Sequence, residues 1–147
     1  MSTGKKTSIT GQLRRNLVAL ISLVVALSTL SYSTWRNEKS EDNRNQRQAA
    51  FEILLKLNEL QRVVFHHHYD EDLDDKGNPR LGWAYVLTIR DLAQLVEEPL
   101  PVRAAELSAA WNDNWAELSD SKESVDSILA SVDATREATL SLLKSLE

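Results

Sequence analysis

The chain has 147 residues and a mass of 16.6 kDa, about the size of one domain, with 42% hydrophobic and 27% charged residues. With 4 Gly and 3 Pro it has few turn-formers for a sandwich, a barrel or a Gly-rich phosphate loop, and without Cys it has no disulfides, thiolate metal sites or cysteine nucleophiles. The net charge of −5 is unevenly spread: residues 1–47 hold eight bases and three acids (+5), which leaves nine bases and nineteen acids (−10) for the rest.

An acidic body speaks against nucleic acid as the main partner, because phosphate binding depends on clustered Lys and Arg. The bases of the first part instead bracket an apolar stretch. Residues 1–16 form a basic tail with Lys5, Lys6, Arg14 and Arg15 and no acid. Residues 17–35, LVALISLVVALSTLSYSTW, are nineteen uncharged residues whose polar members are mostly Ser and Thr, able to hydrogen-bond back to their own helix. About 20 mostly apolar residues cross a hydrocarbon core, so this segment is read as a transmembrane helix. Arg14 and Arg15 at one end and Tyr32, Trp35 and Arg36 at the other are its expected membrane-interface residues. The rival reading is a cleaved signal peptide with a processing site at Ser31, Tyr32 and Ser33, but the apolar run is long for one and the site lacks the Ala-x-Ala pattern. Four bases precede the segment and four follow within fifteen residues. The second flank also holds three acids, while the first is short and uniformly positive and so hard to translocate, which places the N-terminus in the cytoplasm and the rest outside, in a bacterium the periplasm.

Residues 36–48 are polar throughout and contain neither Gly nor Pro, which suits a solvated helical stalk. From 49 onward the chain reads as an acidic helical bundle. Its first helix continues the stalk, with Ala50, Ile53 or Leu54, Leu57, Leu60 and Val64 on one side, and ends near Tyr69. Pro79 and Gly82 open a second helix carrying Tyr85, Ile89, Leu92 and Val96, stopped at Glu98 and Pro99. Pro101 is expected to be the first residue of a third, with Ala104, Leu107, Trp111, Trp115 and Leu118 as its stripe. Asp120 and Glu123 read as a capping pair before a fourth, whose seam is Val125, Ile128, Val132, Thr135, Thr139, Leu142 and Leu146. The two Thr are either a relaxed part of the core or a weak point where a neighbouring chain inserts. No segment has strand periodicity. The expected fold is therefore all-α: one N-terminal transmembrane helix continuing into an antiparallel bundle of about four helices.

Polar chemistry gathers in FHHHYDEDLDDKG at 65–77. Imidazole and carboxylate both ligate divalent ions, which makes His66, His67, His68, Asp70, Glu71 and Asp72 the candidate metal ligands. Adjacent helical residues diverge by 100°, however, so a solvated helix end with an acidic turn is the stronger reading, and a calcium loop fails because Trp83 stands where a bidentate Glu is needed. Histidine titration as a proton sensor is a third. An unbroken helix from the span would carry this cluster about 45 Å beyond the membrane surface. Trp111 and Trp115, with Asp74 and Asp75 at the turn, are the candidate partner-binding residues, although the Trp pair equally suits a core.

No Walker, GxGxxG, GxSxG, HExxH or CxxC pattern occurs. The sequence thus points to a non-enzyme without a cofactor. It describes a single-pass, membrane-anchored interaction or accessory protein of a bacterial-type envelope, joined to a protein partner or to further copies of itself. The alternative is a sensory bundle that binds a metal or small ligand and acts through a partner.

Overall fold

The computed structural model describes residues 9–146; of the side chains before residue 17, those of Arg14, Asn16 and Gln12 are described. Lys5, Lys6 and the Arg15 side chain therefore lie outside the described residues. The helices are α1 (Ile9–Tyr69), α2 (Pro79–Ala93), α3 (Leu100–Asn114) and α4 (Lys122–Ser145), with a 3₁₀ turn at Trp115–Glu117 after α3. No strand occurs among the described residues.

The uninterrupted course of α1 follows from composition, since Gly and Pro are both absent from residues 12–76. Two compact units divide the chain, Met1–Asp42 and Asn43–Glu147. In the first unit the apolar residues of 17–35 are exposed on every side, and no part of that window is buried. Thr29 and Thr34 donate their hydroxyls to the carbonyls of Val25 (2.8 Å) and Leu30 (3.0 Å), so these polar side chains are satisfied within the helix.

The second unit is an antiparallel four-helix bundle. Along α1, Arg47 reaches the Leu146 carbonyl, Asn58 and Gln61 accept from Arg136, and His68 reaches the Leu118 carbonyl, so α4 descends as α1 rises. α3 packs between α2 and α4. The core joins Ile53, Leu57, Leu60 and Val64 with Val86, Ile89, Leu100, Leu107, Trp111, Leu118, Val125, Ile128 and Val132, all fully buried. Each such side chain removed from water contributes on the order of 1.5–3 kcal/mol, and this burial drives the helices together.

Several boundaries differ from the sequence reading. α4 is capped by Ser121, whose hydroxyl accepts from the Ser124 N–H (3.1 Å), and not by Asp120. α3 begins one residue early, with Pro101 in its first turn rather than at its first position. The inward face of α2 is Gly82, Val86, Ile89 and Ala93, while Tyr85 and Leu92 are only partly buried. The seam of α4 is buried as expected apart from half-buried Leu146, and both Thr are fully enclosed. Thr135 donates to the Ser131 carbonyl (2.8 Å) and Thr139 to that of Thr135 (2.7 Å), so the pair belongs to the core.

Candidate functional site

The histidines lie where α1 meets the α2 entry and the α3–α4 connection. α1 stops because the chain turns at Glu71, whose φ of 54° is left-handed, and the Asp72 N–H returns to the His66 carbonyl (3.1 Å). The Asp72 carboxylate then accepts from the N–H groups of Asp75 (3.1 Å) and Lys76 (3.2 Å) and folds the acidic turn. Gly77 closes the turn against the His67 backbone so tightly that a Cβ there would collide with it. Asn78 caps α2 by accepting from the Arg80 N–H (3.0 Å), and Pro79 follows as its first residue.

Each histidine donates through Nδ1 to a different acceptor: His66 to Asp70 (2.6 Å), His67 to the Gly77 carbonyl (2.8 Å) and His68 to the Leu118 carbonyl (2.7 Å). Only the first of the three possible His–acid pairs at i, i+4 forms, because the helix ends before Glu71 and Asp72. His67 is buried, and its Nε2 accepts the Ser119 hydroxyl at 2.9 Å. That leaves His66 and His68 with a free Nε2, and two residues along a helix they diverge by about 200°. Among the described residues no three His, Asp or Glu side chains gather as a metal site. The six candidate ligands are thus placed in one region without converging on one point, and Asp72 is committed to the turn.

Ser119 and His67 form a hydroxyl–imidazole pair held by a carbonyl, and sequence reasoning missed it because the partners are 52 residues apart. The pair adjoins a polar hollow of about 280 Å³ lined by His67, His68, Glu71, Leu73, Ser119 and Asp120. Acyl transfer would need N–H donors for a developing oxyanion. The N–H groups of Asp120 (3.1 Å) and Ser121 (2.8 Å), next to Ser119, both serve the Glu117 carbonyl. The pair ties the end of α1 to the α2 entry and to the α3–α4 connection.

The chain matches no family model, no curated protein and no solved structure in comparisons with each.

The remaining candidate residues separate in the same way. Trp111 is fully buried, with its ring close against Gly82 and edge-on to Trp83 at 6.5 Å between centroids, so in this fold it is a core residue and not a docking one. Its Nε1 has no hydrogen-bond partner. Trp115, in the 3₁₀ turn, is 37% exposed and touches Trp83 at 6.4 Å. Asp74 and Asp75 are exposed on the acidic turn. Beside the apolar segment, Arg14 and Arg36 are exposed, Tyr32 and Trp35 stack at 6.1 Å, and the Lys39 ammonium lies 5.7 Å from the Trp35 ring.

Proposed function

We propose that the chain is a single-pass protein of a bacterial-type inner membrane, N-terminus in the cytoplasm and bundle in the periplasm, and that it serves as an interaction or accessory protein rather than an enzyme. The observation that carries this is the contrast between the units: one encloses a complete core, while the other leaves nineteen uncharged, mostly apolar residues without protein cover. Exposure on that scale is tolerable in lipid and not in water. The internally satisfied Thr hydroxyls and the aromatic–basic flank support the same environment. Orientation rests on the short, uniformly positive tail. The non-enzymatic reading is supported by the occupied N–H groups beside Ser119.

The acidic turn around Asp74 and Asp75 is the surface offered to a partner, since Trp111 is enclosed. Mild crosslinking in native membranes followed by co-purification tests this. A partner captured through residues 70–76, and lost when Asp74 and Asp75 become Asn, is the expected result. Recovery of the chain in the carbonate-soluble fraction overturns the anchor, and capture of nothing overturns the interaction role.

A further inference from the structure

The polar hollow at the end of α1 is lined by hydrogen-bond acceptors and offers no free side-chain donor. A carbonyl oxygen can only accept, so the bonds from His67 to the Gly77 carbonyl (2.8 Å) and from His68 to the Leu118 carbonyl (2.7 Å) fix the proton of each neutral ring on Nδ1. Nε2 of both rings is then a bare lone pair. That of His67 takes the Ser119 hydroxyl proton at 2.9 Å, which leaves the Ser119 oxygen with lone pairs and no proton to give. That of His68 has no donor among the described residues. Glu71 and Asp120 complete the polar lining, and neither carboxylate accepts a hydrogen bond or forms an ion pair among the described residues. No Lys or Arg belongs to the lining, and Leu73, 48% exposed, is its one apolar member.

We propose that this hollow binds a small organic cation with several N–H groups, a protonated primary amine on a short carbon chain. An all-acceptor lining selects a donor, because an anion or a neutral acceptor would face lone pairs and stay unpaired. Two carboxylates without a neutralising base select positive charge, and an ammonium gives them the charge-assisted hydrogen bonds that they do not find within the chain. A bare metal ion is a poorer occupant. It needs its ligands at one centre, and no three His, Asp or Glu of the described residues share one. An ammonium reaches acceptors that stand apart, since its N–H groups point in different directions. Leu73 meets the carbon chain, and about 280 Å³ is room for a chain of a few carbons. The site depends neither on membrane insertion nor on docking at Asp74 and Asp75.

All 3 histidines of the chain lie at this end of α1, so nitrogen-15 labelling of histidine in the full-length protein in detergent micelles reports on this region alone. Imidazole spectra at mildly alkaline pH should show His67 and His68 protonated on Nδ1 and bare on Nε2; a proton on Nε2 of His68 overturns the proposal. Titration with n-butylammonium chloride should move the His68 Nε2 resonance to saturation. Tetramethylammonium has the same charge but no N–H to donate, and it should bind at least about tenfold more weakly. Glu71→Gln combined with Asp120→Asn should abolish the response. Asp113→Asn combined with Asp126→Asn removes the same charge from exposed positions elsewhere and should leave it unchanged, with helicity unaltered in both double variants. Equal binding of the two cations, no saturable shift, or equal loss in the two double variants overturns the proposal. Nα-acetyl-lysine methylamide separates two sources of such an ammonium: binding like that of butylammonium assigns the site to a Lys side chain of a partner, and binding of butylammonium alone assigns it to a free amine.

Discussion

His67 differs from its neighbours only in the phase at which α1 presents it. Leu60 and Val64 precede it at seven and three residues, so it continues the buried stripe, and that spacing was present in the sequence. Burial made its two hydrogen bonds necessary, because an unpaired polar group inside a protein costs about 1–3 kcal/mol. His67→Ala removes both bonds and opens a void, and it should lower stability by about 2–4 kcal/mol in urea unfolding. His66→Ala removes only a surface pair with Asp70, whose side chain is 60% exposed, and should cost less than about 1 kcal/mol. Excess zinc should leave the melting temperature of the wild-type chain unchanged, because His66 and His68 face apart. A rise abolished by either His→Ala change would establish a site that this geometry does not provide.

At the scale of helices, small residues decide how the elements approach. Gly82 lies against the Trp111 ring, and a Cβ at that position would collide with it. Gly82→Ala should therefore destabilise the bundle by about 1–3 kcal/mol despite the better helix propensity of Ala. Combined with Trp111→Phe, the loss should be smaller than the sum of the two, because the smaller ring relieves the clash; a thermal-unfolding double-mutant cycle measures that coupling. The same small residues explain what was hard to read in advance. Pro79 and the end of α1 at Tyr69 were legible because capping and turn residues mark them. The inward face of α2 was not, since Gly82 and Ala93 carry little hydrophobic signal while Tyr85 and Leu92 carry much. The α4 seam was legible from Val125 to Leu142, Thr included. There the hydroxyl of Thr139 bonds a carbonyl one turn back within its own helix, so Thr139→Val exposes no new unsatisfied group. Its stability should stay within about 1 kcal/mol of wild type by urea unfolding.

For the whole molecule, the division of charge and the division into two units fall close together. Every residue of the bundle core lies at or beyond Ala49, so the fragment 43–147 contains all that its own fold needs. The proposed direction of insertion is set elsewhere, by four bases ahead of the apolar segment and four behind it within fifteen residues. Acids do little to orient a segment, so retention of the tail depends on its length and uniform charge. Replacing Lys5, Lys6, Arg14 and Arg15 with Gln removes every Lys and Arg of residues 1–16 and leaves Arg36, Lys39, Arg44 and Arg47 on the other flank. The positive-inside preference then opposes export of the bundle, and most copies should invert. Reporters that are active only in the periplasm or only in the cytoplasm, fused after residue 147, should exchange their signals between wild type and this variant. A wild-type chain with its C-terminus already in the cytoplasm would reverse the orientation proposed above, while an unchanged periplasmic signal in the variant would show that the tail does not set it.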